Sequence, residues 1–147
     1  MKNPVIVYAK RTAIGKLGGC LKNIPAPKLG AHLIKDALKK LPLLKKECQE
    51  IIMGQVLTAG NGQAPARQTA LYGGLTDNTC ATTINKVCGS GLKSVMLASN
   101  SIKLGQAKVI IAGGQENMSL APYLLMGVRE GYRYGSKKIE DHIDLDG

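Results

Sequence analysis

Apolar positions along the chain follow two rhythms. Three short runs, "PVIVYA" at 4–9, "EIIMGQVL" at 50–57 and "KVIIAGG" at 108–114, are rich in β-branched residues and close on Gly or polar positions. Unbroken apolarity over so few residues predicts strands buried on both faces, as in a parallel sheet. A fourth run, "CATTINKV" at 80–87, is Thr-rich with partial alternation and predicts a further strand. Between these runs the period lengthens. "PAPKLGAHLIKDALKKL" at 25–41 sets Leu29, Leu33, Ile34, Ala37, Leu38 and Leu41 on one helical face, with Lys28, Lys35 and Lys39 opposite. Pro27 suits a first turn and Pro42 stops the segment. "APARQTALYGG" at 64–74 predicts a shorter helix that ends at Gly73 and Gly74. "SGLKSVMLASNSIKLG" at 90–105 gathers Leu92, Val95, Met96, Ser99 and Ile102 into a stripe, with Gly105 as its C′ cap.

Strands alternating with helices predict an α/β fold with right-handed crossovers. The 90–105 helix is unusual in that only Lys93 and Lys103 interrupt it with charge. Its face opposite the Leu92/Val95/Met96 stripe carries Ser94, Ala98 and Ser101. A helix with so little charge is expected to be covered on most sides. The small-residue face is expected to admit another element, one this chain need not supply. Beyond Gly114 the periodicity fades into a loop-rich segment that reads as stopping early, not as a finished domain.

Composition narrows the picture. At 147 residues, 44% hydrophobic and 20% charged, the chain is globular in character and long enough to bury a core. Five tyrosines with no Phe or Trp leave that core to aliphatic residues. No apolar run approaches the ~18 residues of a membrane span, which predicts a soluble protein with no membrane partner. Net charge is +10, from 20 basic and 10 acidic residues. That balance raises nucleic acid as a partner. The lysines are scattered, however, and the aromatic platform of single-strand binders is almost missing, which argues against it. Positive potential serves a small nucleotide-bearing anion equally well. The segment before Asp36 lacks acidic residues, but sparse Arg and a strand-like "PVIVYA" favour a structural N-terminus in the cytoplasm over a transit peptide. Cys20, Cys48, Cys80 and Cys88 form no CxxC pair and only two histidines accompany them, so neither metal-ligand spacing nor a disulfide framework is expected.

Candidate chemistry concentrates at "NKVCGSGLKSV", residues 85–95. Cys88 falls between a predicted strand and a predicted helix, at the lip of the sheet where ligands bind α/β folds. A helix N-terminus offers unpaired N–H groups and partial positive charge. These would stabilise a thiolate and lower its pKa. The same N–H groups can hold the oxyanion formed when the sulfur attacks a thioester carbonyl. Gly89 and Gly91 are expected to let the backbone turn sharply and a substrate approach closely. The logic is that of the nucleophile elbow of serine hydrolases. Spacing alone leaves a second reading open, an inert structural cysteine beside a tight turn. Cys20 and Cys48 read as bland, and Cys80 lies at the far end of the strand from Cys88.

"INKVCGSGLKSV" followed by "VIIAGGQENMSLAPYLL" resembles the N-terminal half of a thiolase, the acetyl-CoA acetyltransferase family. "VIVYAKRTAIGKLGG", "IIMGQVLTAGNGQAPARQTAL" and "GYRYG" extend the resemblance over essentially all 147 residues. The resemblance implies a mixed sheet with helices on its faces, a core over residues 1–117, and the start of an incomplete loop domain over 118–147. It implies that Cys88 is acylated by an acyl-CoA, with backbone N–H groups as oxyanion donors, in a ping-pong Claisen condensation or its thiolytic reverse. CoA thioester then enters as substrate, with no tightly bound cofactor and no metal. A homo-oligomer, or pairing with a C-terminal thiolase half, is the implied assembly.

The family's remaining chemistry belongs to its second half: a His in a "GHP" motif, an Asn in an "NEAF"-like motif and a second Cys in "CxGG". None of these motifs occurs in the 147 residues. His32 and His142 match neither the motif nor its setting and are expected at the surface. Without a general base, and with an incomplete oxyanion hole, the isolated chain is expected to be inactive or nearly so in carbon–carbon bond formation. The alternative is a non-catalytic fragment or interaction module that pairs with a C-terminal half or another partner.

Overall fold

The computed structural model describes residues 3–147 as an α/β protein built on a three-stranded parallel sheet. In chain order its principal elements are α1 (Ala26–Lys40), α2 (Leu44–Glu47), β1 (Glu50–Gly54), α3 (Pro65–Gly73), β2 (Cys80–Ile84), α4 (Ser90–Lys103) and β3 (Ile110–Gly114). The sheet order is β2-β1-β3, with Glu50 level with Cys80 on one side and Ile110 on the other. A short antiparallel pair follows, β4 (Tyr123–Leu124) with β5 (Glu140–Asp141), and then α5 (His142–Asp146).

Alternation along β1 divides the protein into layers. Ile51 and Met53 turn to one face and join Ile34 of α1, Ala66 and Ala70 of α3, and Cys48 and Leu75 in the apolar core. Position 54 turns to the other face and meets α4, where a Cβ would lie 2.5 Å from the Ser90 carbonyl carbon. Only β1 is buried along most of its length. β2 and β3, the two edges of the sheet, are half-exposed. The expectation of strands buried on both faces therefore holds for the central strand alone.

Two further expectations are corrected. The "PVIVYA" segment forms no strand: Val5, Ile6 and Val7 are 77%, 79% and 74% exposed. A strand needs a neighbour for its N–H and C=O groups, and this segment has no sheet partner among the described residues. Its recorded tie is Tyr8, whose hydroxyl donates to Asp36 Oδ2 of α1 at 2.7 Å. On α4 the two faces exchange roles. The small residues Ser90, Ser94 and Ala98 are buried against the protein's own sheet, while Leu92, Val95 and Met96 stand 70%, 39% and 51% exposed. The helix can lie that close because Ser94 Oγ, within hydrogen-bonding distance of both the Gly91 and Gly113 carbonyls, is satisfied inside the contact. A larger side chain at 94 would hold helix and sheet apart.

The two faces of α4 predict opposite mutational costs. Gly54→Ala should destabilise by about 1–3 kcal/mol, the usual cost of overpacking a closed contact. Leu92→Ala should change stability by no more than about 0.5 kcal/mol, because the side chain is exposed. Urea unfolding followed by circular dichroism measures both; equal losses would mean that α4 packs through its apolar stripe instead.

Candidate functional site

The carboxyl ends of β1 and β3 lie against the N-terminus of α4. Cys88 stands there, exposed, four residues past the end of β2 and one residue before Gly89, which occupies the N-cap of α4. The turn that carries it is tied from several directions. The Asn85 side chain accepts from Val87 N–H at 2.8 Å. Ser90 Oγ accepts from Lys86 N–H at 2.8 Å and donates to the Val87 carbonyl at 2.7 Å. Gly89 N–H donates to the Lys86 carbonyl, and Ser90 N–H to that of Val87.

The sharp bend is not made by the glycines that follow the cysteine. Gly89 has ordinary negative φ, and the left-handed residue is Val87, at φ 47°. For a β-branched side chain this conformation is an outlier, and strain of that kind costs about 1–3 kcal/mol. It is held in the residue directly before the thiol. Gly91 serves a different purpose, close approach: a Cβ added at Gly114 would lie 3.2 Å from the Gly91 Cα. Gly89 places no side chain over the first turn of α4, and no side chain caps it. The leading N–H groups of a helix have no intrahelical acceptor, and they carry the positive end of its dipole. The Cys88 thiol thus stands exposed beside that terminus, directly after a strained residue.

A second set of residues, not singled out in the sequence reading, fixes this strand edge from the β3 side. Gln115 N–H donates to the Gly54 carbonyl at 2.9 Å, and Gln115 Nε2 to Gln55 Oε1 at 3.0 Å. Thr69 of α3 donates to Gln115 Oε1 at 2.7 Å, so both amides are buried and paired. The Glu116 carboxylate accepts from Val56 N–H at 2.8 Å and Leu57 N–H at 3.3 Å. Burial pushes its carboxyl up, while those two N–H groups and nearby His142 pull it down. Asn117 Nδ2 reaches the carbonyls of Leu21, Lys22 and Ile24, and its Oδ1 accepts from Ser119 N–H. The available signal was "QEN", a run of carboxamide and carboxylate directly after a strand that ends in two glycines.

The other candidates separate from Cys88. Cys80 opens β2, at the opposite end of the strand, Cys20 lies exposed in a turn and Cys48 is buried in the core. His32 is exposed on α1 as expected, but His142 is not at the surface: it is 4% exposed. It starts α5, its N–H donates to the Pro122 carbonyl, and its Nε2 lies 3.2 Å from Asp146 Oδ2 one turn on. A lone His in a turn-rich segment gave no sign of this burial. Among the described residues no group of three His, Cys, Asp or Glu side chains is placed to hold a metal. No helix among them is long and apolar enough to cross a membrane.

Comparison with known proteins supplies the lineage. The thiolase N-terminal domain family matches residues 4–147. An acetyl-CoA acetyltransferase of Cupriavidus necator is 56% identical over all 147 residues, which cover 37% of that protein. The Escherichia coli K12 acetyl-CoA acetyltransferase is 54% identical over the whole chain and 38% of its own length. A mitochondrial acetyl-CoA acetyltransferase of Danio rerio is 52% identical over 97% of the chain and 34% of its own length. The chain thus spans little more than a third of the curated relatives it matches.

The four thiols give this geometry a direct check. Iodoacetamide should label Cys88 fastest in the native protein and leave Cys48 unmodified, as read by peptide mass mapping. Equal rates at all four positions would count against both the exposed turn and the core. Burial pushes the Cys48 thiol up from its ordinary value of 9.0 to about 11. Being raised in the fold, it adds stability that is complete below the ordinary thiol range and lost as pH climbs toward about 11. Cys48→Ala should flatten stability across that alkaline window, whatever it does to stability at neutral pH.

Proposed function

Since the chain belongs to the thiolase family, matching it through the N-terminal domain, we propose that Cys88 is its acyl-accepting nucleophile. The observation that carries this reading is the placement of an exposed thiol on a strained turn, at the N-terminus of α4 and the carboxyl edge of a parallel sheet. The Cys88 thiolate attacks the carbonyl carbon of an acyl-CoA. The carbonyl electron pair moves to oxygen, and backbone N–H groups at the turn hold that oxyanion. When the carbonyl reforms, the carbon–sulfur bond to CoA breaks and CoA leaves as its thiolate, with the acyl group on Cys88. CoA thioester is the substrate here, and no tightly bound cofactor or metal enters the step. Dividing the overall reaction at the acyl-enzyme separates thioester exchange from carbon–carbon bond formation.

The second half of the reaction needs a base to remove an α-proton from another acyl-CoA and donors for the resulting enolate. The 147 residues offer no counterpart to the family's second Cys, His and Asn for those tasks. Cys88 lines neither the groove beside Pro42 and Asn78 nor the one between Lys10–Ala13 and α1. On this reading residues 1–117 form the catalytic core and 118–147 begin a loop domain that is completed elsewhere. Alone, the chain is inactive or nearly so in condensation and thiolysis.

A second reading rests on a separate observation. The Leu92/Val95/Met96 stripe leaves apolar area on the helix that carries Cys88, and exposed contiguous apolar surface marks an interaction site. A C-terminal thiolase half, or a second copy of the chain, is the occupant this reading favours.

One experiment separates the two. The chain is incubated with acetyl-CoA, and acetylation is mapped by peptide mass, with Cys88→Ser as control. It is then mixed with a separately expressed C-terminal thiolase half and assayed for thiolysis. Acetylation confined to Cys88, and thiolysis only in the mixture, support the enzyme reading. Association without acetylation or activity leaves the interaction module standing and removes the catalytic proposal.

A further inference from the structure

The Glu116 carboxylate has no evident part in acyl transfer, yet it is half-buried and spends both oxygens on backbone. Oε2 accepts from Val56 N–H and Oε1 from Leu57 N–H, across 60 and 59 residues of sequence. A buried carboxylate is a costly way to satisfy two amides that water or a carbonyl could serve, so what it secures matters more than the bonds themselves. It secures the point where the chain leaves β1. That exit is held twice more, by Gln55 N–H on the Ile84 carbonyl at the end of β2 and by Gln115 N–H on the Gly54 carbonyl. Gly54 in turn is the floor on which α4 begins. The position its Cβ would take is 2.5 Å from the Ser90 carbonyl carbon and 2.7 Å from Gly91 N, leaving no slack between strand end and helix start. Ser90 then ties the Lys86 N–H and the Val87 carbonyl, the residues directly preceding Cys88. From Glu116 to the thiol the path runs through close contacts and short hydrogen bonds at every step.

We propose that Glu116 is a positioning residue for Cys88: by fixing the exit of β1 it sets the seat of α4 and, with it, the alignment of the thiol to the helix N-terminus. The proposal rests on the reading of Cys88 as the nucleophile, but it makes a claim that can be measured without catalysis. Glu116→Ala frees both N–H groups. Glu116→Gln keeps one acceptor oxygen and turns an NH2 toward the other amide, so it should have an intermediate effect.

The test is the iodoacetamide labelling rate of Cys88 divided by that of Cys20 in the same molecule, with Cys48 as an internal reporter of opening. The ratio should fall about two- to fivefold in Glu116→Ala, the factor that misaligning a thiolate from a helix N-terminus gives, and by less in Glu116→Gln. Cys48 should stay unlabelled in Glu116→Gln. A merely structural brace would lower the urea midpoint of the variants and leave the ratio alone. An unchanged ratio in Glu116→Gln and in any folded Glu116→Ala overturns the proposal, as does a ratio that falls only where Cys48 also becomes labelled. Failure of acetyl transfer to wild-type Cys88 would remove the catalytic reading while leaving this ratio measurable, so the two failures are distinguishable.

Discussion

The contact on which the rest of the structure depends is the one between the backbone at the N-terminus of α4 and the backbone at the ends of β1 and β3. Gly54 and Gly114 are side by side in the sheet, and each meets Ser90 or Gly91 across a gap that no Cβ at these strand positions would fit without displacement. Helix and sheet ordinarily stand apart by the thickness of their side chains. Here they touch main chain to main chain, with the Ser94 hydroxyl satisfied by Gly91 and Gly113 carbonyls inside the contact. The consequence is directional. With the helix start pressed onto the strand ends, the linker from β2 must rise and turn back in five residues, Asn85 to Gly89, before α4 begins. Val87 takes up that constraint in a left-handed conformation, and Cys88 is left at the crest, outside the layer that created it.

The same constraint explains which parts of the structure could be read from the sequence. The helices at 26–40, 65–73 and 90–103, and the strands at 50–54, 80–84 and 110–114, follow from period and punctuation, since each is decided by residues within it. β1 and β2 end short of the runs that suggested them, at Gly54 and Ile84, because Gln55 and Asn85 beyond them turn their side chains to the Gln115 brace and to the turn before α4. What the pattern could not decide was partnership. "PVIVYA" has the composition of a buried strand, but a strand exists only with a neighbour, and the described residues provide none. The faces of α4 were legible as one apolar and one small. Hydrophobicity alone assigned the apolar face to the core, whereas close backbone approach required the small one. In the candidate site, the place of Cys88 between β2 and α4 was legible from its neighbours. Glu116, Gln115 and Gln55 were not, because a polar residue after a strand gives no sign of whether it faces water or a backbone 60 residues away.

The two readings of this chain share one physical element. Leu92 begins the exposed stripe one helical turn after Cys88, and Val95 and Met96 continue it along α4. Whatever covers that stripe must stand close to the thiol, and burying it would lower the local dielectric around the helix N-terminus. Electrostatic stabilisation of an oxyanion strengthens as water is excluded. The same covering would therefore complete the packing of α4 and sharpen the chemistry at its start. In the isolated chain the thiol is exposed, and water competes for the N–H groups that would hold the oxyanion. The proposed nucleophile sits on a turn held by local hydrogen bonds and by the close approach of Gly54, Gly91 and Gly114. Among the described residues nothing covers the Leu92/Val95/Met96 stripe beside the thiol, and an interaction surface on α4 is therefore a condition of the proposed acyl-transfer chemistry as much as a rival to it.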